Sequence, residues 1–202
     1  MAPVAPGRIR LLLVAANPIG TSRLRLDTEI REIEQVILKS RNRDDIDIRK
    51  FQGLRAADLK HELLSYKPTH VHFCGHGNFE GIALVDENDL TQLVKFGSLA
   101  RLLSLFKGQI DCVFLNACYS GSRPGFIHQY IPKVICMNGP IPDDTALGFA
   151  IDFYEGIGEG WSIEFSFKWA LAAMELCGPE SGNIPLLLTS EGPQKYNEGE
   201  LC

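Results

Sequence analysis

The chain reads Val71-His72-Phe73-Cys74-Gly75-His76-Gly77 at the end of one apolar run and Val113-Phe114-Leu115-Asn116-Ala117-Cys118-Tyr119-Ser120-Gly121 at the end of another. Each run breaks into small residues that surround one reactive side chain, an imidazole in the first and a thiol in the second. α/β sheets present reactive groups at the carboxyl ends of parallel strands, where the chain turns away from its cover of side chains. We therefore predict two strands of an α/β sheet whose ends bring His76 and Cys118 into one cleft.

The residue types in these two stretches predict acyl-transfer chemistry. A lone cysteine has a pKa of about 8.5 and is mostly protonated at neutral pH, so a nearby imidazole is needed to take its proton. Gly75, Gly77 and Gly121 lack a Cβ and allow a substrate backbone to approach. Backbone N–H groups of Gly77 and Cys118 are then free to bind a developing oxyanion. The pattern predicts a nucleophile (Cys118), a general base (His76) and an oxyanion hole.

The order of the two blocks resembles a known family. An apolar-His-Gly block is followed, 118 − 76 = 42 residues later, by an apolar-Asn-Ala-Cys-x-Ser-Gly block. This resembles the caspase-like clan of cysteine peptidases and, within it, the CHAT domain, a bacterial module often joined to tetratricopeptide repeats. Residues 9–18 and 138–144 also sit where such domains carry similar segments. The resemblance implies a cysteine endopeptidase with His76 as base and Cys118 as nucleophile, without metal or organic cofactor.

Length and composition favour one domain in a reducing compartment. The 202 residues, 45% of them hydrophobic, suffice for one core, and we predict a domain over 8–190 with flexible ends at 1–7 and 191–202. The net charge of −5 argues against nucleic acid or an anionic membrane as a partner. No apolar run is long enough to span a bilayer, and no leader segment is evident. The expected location is the cytoplasm, with the six cysteines reduced.

Strand and helix patterns alternate along the chain, which predicts βαβ units. The fold class that follows is a caspase-like three-layer α/β/α sandwich with a mostly parallel sheet of about six strands. The predicted strands are 9–16, 46–51 near an edge, 69–74, 80–86 in a hairpin, 110–116, 133–137 and 184–189. The predicted helices are 24–40, 56–66, 98–106 capped by Ser98, one from Asp143 or Asp144 to Tyr154, and 162–176, with a separator at 157–160 and a loop at 119–132.

Several chemically suggestive side chains have ordinary structural interpretations. The charged residues of the first helix, Glu29 among them, are expected on a solvated face. Alternation along one strand would place His70, His72, Cys74 and His76 on one face as zinc ligands. Such a strand has little room for an ion, so we expect His72 and Cys74 to pack under the catalytic turn instead. The cysteines expected in the core are Cys74, Cys112, Cys136 and Cys177.

Substrate preference is left open by the residues. Related peptidases select a basic residue before the cleaved bond with an acidic pocket, and metacaspase-like members carry Asp two residues before the cysteine. This chain has Asn116 there, which departs from that pattern. Asp143 and Asp144 are alternative acidic candidates that are equally well explained as the start of a helix. Arg123 is a rival that would favour an acidic substrate.

Two other functions remain as alternatives. The first is a catalytically silent caspase-like module that recruits partners through the same surface. The second is a nucleotide-binding protein, which the missing G-x-G-x-x-G turn disfavours. The resemblance further implies a protein substrate and an activating sensor or repeat-domain partner.

Overall fold

The computed structural model describes residues 7–122, 125–177, 184–189 and 192–194. The strands are β1 (Ile9–Ala16), β2 (Ile46–Gln52), β3 (His70–Gly75), β4 (Gly81–Val85), β5 (Thr91–Lys95), β6 (Cys112–Asn116), β7 (Lys133–Met137), β8 (Pro185–Thr189) and β9 (Gly192–Gln194). The helices are α1 (Leu26–Lys39), α2 (Ala56–Tyr66), α3 (Phe96–Ser104), α4 (Gly125–His128), α5 (Asp143–Gly158) and α6 (Ile163–Cys177).

The main sheet has the strand order β2-β1-β3-β6-β7-β8-β9 in the described part of the chain. The first five strands are parallel, and β8 and β9 each run antiparallel to the strand before them. β4 and β5 form a separate antiparallel hairpin after β3. The predicted mostly parallel sheet is confirmed. It has seven strands instead of about six because β9 forms within the predicted tail.

Two apolar clusters cover the two faces of the sheet. Residues of α1, α5 and α6 pack on one face, and residues of α2, α3 and β4 pack on the other. Side chains alternate between the faces along each strand, as Leu11 and Leu12 illustrate. This confirms the three-layer α/β/α arrangement, with helices on both sides of central strands that are mostly apolar.

Helix α5 differs most from its prediction. It continues past Tyr154 to Gly158, the second residue of the predicted separator. A Cβ at Gly156 would lie 2.6 Å from Ser166 Oγ, and one at Gly158 would lie 2.5 Å from Ser40 Oγ. These glycines therefore let α5 pack closely on α6 and on the end of α1, and the helix runs through Gly156 before it ends at Gly158. Its N-cap is Pro142, so the prediction that Asp143 or Asp144 caps it is wrong.

Helices α3 and α1 also differ in detail from the sequence predictions. α3 begins at Phe96, two residues before the predicted cap Ser98, because the Phe96 side chain is buried in the core and starts the helix there. It ends at Ser104. The predicted 119–132 loop contains α4. On α1, Glu29 is only 5% exposed and faces the sheet, so its assignment to a solvated face is wrong.

No helix in the described ranges is both long and apolar enough to cross a membrane. The cysteines with described side chains are all free thiols. Arg123, the Cys177 side chain, residues 1–6 and most of 191–202 lie outside what the structure describes.

Candidate active site

The carboxyl ends of β3 and β6 lie side by side. The two strands are parallel neighbours, and their last paired residues are Cys74 and Asn116. That register has an offset of 116 − 74 = 42 residues, the same as the separation of His76 and Cys118. His76 and Cys118 each follow the paired end of their strand by two residues. Adjacent strands are about 4.8 Å apart, so the two loops leave the sheet next to each other.

The loop after β3 packs directly on the loop after β6. A Cβ at Gly77 would lie 2.9 Å from Cys118 O and 3.0 Å from Ala117 Cβ. A Cβ at Gly75 would lie 2.6 Å from Ala16 O, on the strand at the other side of β3. These two positions accept only glycine without a shift of the backbone. The close neighbours are the protein's own backbone, so the approach of a substrate backbone at these glycines stays a prediction.

The backbone of Gly77 is oriented away from the hairpin that follows it. Gly77 and Ile82 form an antiparallel bridge. The hydrogen bonds of this bridge come from flanking residues, such as the one from Ala83 N to His76 O at 2.9 Å. In such a pair the two central residues direct their own N–H and C=O groups outward. The Gly77 N–H is therefore not used by the hairpin.

The ring of His76 is held by a main-chain carbonyl. His76 Nε2 lies 2.7 Å from Ser22 O, in the loop between β1 and α1. A carbonyl oxygen only accepts hydrogen bonds, so Nε2 carries the proton and Nδ1 is the basic nitrogen of the neutral ring. The ring is half-buried. The contact fixes the tautomer and holds the ring against the loop between β1 and α1.

Cys118 differs from the other described thiols. It is half-buried, whereas the remaining described cysteines are buried, as the sequence predicted for Cys74, Cys112 and Cys136. Burial raises the pKa of Cys112 and of Cys136 to about 12, and burial together with the Glu29 carboxylate raises the pKa of Cys74 well above its usual value. These three thiols are protonated and shielded at neutral pH, which leaves Cys118 as the accessible one among those described.

The turn that follows the thiol is tied to the next strand. Tyr119 has a positive φ of 58°, and its N–H donates to Gly139 O at 3.3 Å. Ser120 is buried, and its hydroxyl donates to Leu115 O (2.9 Å) while accepting from Met137 N (2.8 Å). The hydroxyl therefore joins β6 to β7 directly below the turn. Both loops around the thiol are anchored to the sheet.

A buried polar network lies under the two loops. Glu29 Oε1 accepts hydrogen bonds from His72 Nε2 at 2.9 Å and from Asn116 Nδ2 at 2.7 Å. His72 Nδ1 lies 3.2 Å from Tyr154 Oη. The network connects α1, β3, β6 and α5 on one face of the sheet. The expectation that His72 packs inside the protein is confirmed by its full burial.

The four-residue zinc arrangement considered above is not assembled. His76 turns to Ser22 O, and His70 lies near the opposite end of β3. His72 and Cys74 face Glu29, and one ligand atom from each of these three lies within 4.8 Å of the others. Glu29 and His72 are, however, 2.9 Å apart and hydrogen-bonded, closer than the roughly 3.4 Å between two ligands of one tetrahedral zinc ion.

The candidate substrate-binding residues have different environments. Asn116 is 7% exposed and bonded to Glu29, so its side chain is closed to a substrate and the sequence-based assignment is corrected. Asp143 pairs with Arg25 Nε at 3.3 Å, and Asp144 pairs with the same guanidinium. Both carboxylates lie on the surface at the start of α5. Arg123 is outside the described residues.

Sequence reasoning missed Ser22 and Glu29. Ser22 contributes only a main-chain carbonyl, which has no residue-type signature, although its loop follows β1 and leaves the sheet next to β3. Glu29 has a weak signal, because it directly precedes Ile30 in the apolar stripe of α1 and so lies at the edge of that stripe.

Similarity to known proteins agrees with this geometry. A "Probable protease" from Gillisia limnaea is 22% identical over 179 residues, covering 86% of this chain and 32% of the relative. A "Roc-COR-CHAT protease" from an unknown prokaryotic organism is 22% identical over 175 residues, covering 82% of this chain and 16% of the relative. The chain thus spans about a third or less of these relatives.

Solved structures show the same fold. A secreted C11 cysteine protease from Bacteroides thetaiotaomicron, in complex with an irreversible peptide inhibitor, matches with a TM-score of 0.65 at 13% identity, over 90% of this chain and 66% of that one. The Drosophila initiator caspase Dronc matches with a TM-score of 0.57 at 10% identity, over 96% and 81%. The CHAT domain family model matches residues 3–173. The chain therefore belongs to the CHAT domain family, and its fold is that of the caspase-like proteases.

Proposed function

We propose that this chain is a cysteine endopeptidase in which Cys118 is the nucleophile and His76 the general base. The observation that carries the proposal is the common offset of 42 residues, which puts His76 and Cys118 each two residues beyond the paired ends of adjacent parallel strands. The hydrogen bond from His76 Nε2 to Ser22 O supports it, because it leaves Nδ1 to accept a proton. The half-buried position of Cys118 supports it as well.

The proposed reaction has two steps. In acylation, Sγ of Cys118 attacks the scissile carbonyl carbon while its proton passes to Nδ1 of His76. The C–N bond then breaks, and the amine leaves with that proton. In deacylation, water loses a proton to His76 and attacks the thioester, which restores the thiol and releases the acid. The N–H groups of Gly77 and Cys118 bind the oxyanion in both steps.

We place the substrate residue before the cleaved bond near Asp143 and Asp144. Tyr119 N donates to Gly139 O, so the segment that leads to these carboxylates borders the nucleophile turn. The pair already binds one guanidinium, that of Arg25. A substrate Arg or Lys would replace it. Arg123 would favour Asp or Glu instead, and a cleavage library distinguishes the two preferences.

An attached or separate sensor module is part of the proposal. The matched relatives are several times longer than this chain, and the name of one includes Roc and COR parts. A cytoplasmic location stays a prediction from the reduced thiols. A silent interaction module is the alternative to activity.

The experiment compares iodoacetamide labelling and cleavage of a peptide library by wild type, Cys118→Ala and His76→Gln. We expect Cys118 to be alkylated before the other five thiols at pH 7, and Cys118→Ala to abolish cleavage. Loss of the general base in His76→Gln should slow cleavage by about 10²–10⁴-fold.

The matched control is Cys136→Ala, which removes a buried thiol of raised pKa and should leave cleavage unchanged. A silent module predicts similar labelling of all accessible thiols and no difference between wild type and Cys118→Ala. That result would exclude the peptidase.

A further inference from the structure

We propose that Glu29 is a positioning residue for the active site: its buried carboxylate joins β3 to β6 and sets the alignment of the two catalytic loops. The inference rests on the proposed function, since it assigns Glu29 a role in the His76–Cys118 reaction. Glu29 does not contact the substrate. It acts through His72 and Asn116.

The burial of Glu29 is unusual and specific. A glutamate is seldom buried unless it is paired, yet Glu29 is 5% exposed. Its partners are equally enclosed, with His72 at 0% and Asn116 at 7% exposure. Removing such a carboxylate from water is unfavourable unless its hydrogen bonds are good. The distances of 2.9 and 2.7 Å to one oxygen meet that condition.

The two donors come from different strands. His72 lies on β3 four residues before His76, and Asn116 lies on β6 two residues before Cys118. One oxygen therefore connects the strands diagonally, because His72 pairs with Phe114 and not with Asn116. A slip or separation of β3 and β6 would break at least one of the two bonds. The two bonds to Glu29 therefore add a side-chain connection to the backbone hydrogen bonds between β3 and β6.

The loop that leads into helix α1 also holds the imidazole of His76. Ser22, four residues before the helix begins, holds Nε2 of His76 through its carbonyl. Glu29, one turn inside the helix, holds the strands below. The position of α1 therefore controls the imidazole directly and the thiol indirectly. This link also gives a reason for an amide at position 116, since an aspartate there would face the Glu29 carboxylate.

The test uses this donor–acceptor pair in the full chain. Asn116→Asp should place two carboxylates in contact and disturb the alignment. The double variant Glu29→Gln with Asn116→Asp exchanges donor and acceptor and should restore the contact. His72 then carries its proton on Nδ1, which donates to Tyr154 Oη, and its Nε2 accepts from the second N–H of the new amide at position 29. Glu29→Gln alone keeps the shape and removes the charge, so it remains informative if Asn116→Asp does not fold. The matched control is Ile33→Val, a fully buried change one turn further along α1.

The readouts are the pH midpoint of Cys118 alkylation, measured by mass spectrometry, and the separate kcat and KM values for peptide cleavage. Asn116→Asp should raise the midpoint above that of wild type and lower kcat about 100-fold with little change in KM, as expected for a misplacement of about 1 Å. Glu29→Gln should have a smaller effect in the same direction.

The kcat of the double variant should recover to within about tenfold of the wild-type value. A remaining displacement of about 1 Å would instead keep it about 100-fold lower. Ile33→Val should leave both readouts unchanged.

Three results would overturn the inference: an unchanged midpoint and kcat in folded Asn116→Asp and Glu29→Gln, a double variant no better than Asn116→Asp, or a stoichiometric metal ion in wild type that is lost in Cys74→Ala. The last would make Glu29 a ligand instead. Failure of the proposed function is distinguishable, because wild type itself would then show no cleavage and no labelling of Cys118 ahead of the other thiols.

Discussion

The two faces of the sheet are built differently. The face covered by α2, α3 and the β4–β5 hairpin packs aliphatic and aromatic side chains on the strands, such as Phe73 of β3 and Leu115 of β6. The face covered by α1, α5 and α6 has a comparable apolar cluster, but Glu29, His72 and Asn116 are buried within it. Successive residues of one strand therefore point into two different environments, one mainly apolar and one that contains buried polar groups.

The two faces therefore contribute differently to the stability of the sheet and to the alignment of β3 with β6. Apolar contacts are non-directional, so the first face stabilises the sheet without requiring one lateral position of β3 against β6. Hydrogen bonds to a single buried oxygen are directional, and unmade ones are unfavourable. The second face can therefore determine how the loops that carry His76 and Cys118 meet.

The largest expected effect comes from truncating adjacent β6 residues that point to opposite faces. Phe114→Ala and Leu115→Ala should each lower the free energy of unfolding by about 3–5 kcal/mol. Phe114 packs on His72, with ring centroids 4.5 Å apart, whereas Leu115 belongs to the other cluster. We expect only Phe114→Ala to reduce kcat/KM, by about tenfold, which corresponds to 1.4 kcal/mol. Urea unfolding and peptide cleavage at 10 °C measure both. Equal losses of activity would contradict the division between the faces.

The next prediction tests the contact between the loop that follows β3 and the loop that follows β6. In Gly77→Ala the new Cβ meets Cys118 O at 2.9 Å, and backbone on either side must shift. We expect kcat/KM to fall about 100-fold, because displacement of a reacting group by about 1 Å has that effect. The control is Gly97→Ala on α3, where a Cβ meets nothing within 4 Å. The control should keep its activity and gain about 0.5–1 kcal/mol of stability. If Gly77→Ala kept wild-type activity, the reactive thiol would not be in the loop that contacts Gly77.

A third prediction concerns pH and the start of β3 on the polar face. Burial, followed by the nearby Lys133 charge, lowers the pKa of His70 to about 4. The unfolded chain then binds a proton more readily than the folded one, so stability is lost as pH falls from about 6.5 toward 4. We expect wild type to lose roughly 2–3 kcal/mol more than His70→Gln between pH 7 and 4.5, measured by urea unfolding. Parallel pH curves for the two proteins would refute the assignment.

The smallest expected effect has the opposite sign and lies on the outer part of α5. Burial, followed by Glu155, raises the pKa of Asp152 to about 6. The ionised form is disfavoured in the folded protein, so the stability conferred by the protonated group is lost as pH rises through about 6. Asp152→Asn should raise Tm by about 1–2 °C at pH 8, a small effect because solvent screens this half-exposed group. No gain is expected at pH 4, and a gain there by thermal melting would contradict the interpretation.

Much of the site could be predicted because it depends on local patterns. The apolar runs that lead to His76 and Cys118 are buried parallel strands, and parallel neighbours end at the same edge of the sheet. The glycines next to the imidazole follow from the need for close approach. Cys74, Cys112 and Cys136 were recognised as core residues from their apolar neighbours.

Other features could not be predicted because the same residue type has a different role in each tertiary context. Gly156 is a typical helix breaker, yet α5 continues through it to Gly158, and Ser166 and Ser40 pack where a Cβ at these two glycines would be. Glu29 lies among charged residues of α1 that face solvent, and only the approach of β3 and β6 gives it partners.

The sequence by itself determined the alternation of strands and helices, the strand ends that carry the imidazole and the thiol, and the family, because these depend on periodicity and short motifs. The tertiary structure alone decided that the Ser22 carbonyl orients His76 and that Asn116 is buried against Glu29. Such contacts join residues 54 and 87 positions apart in the chain, and their partners are chosen by packing and not by residue type.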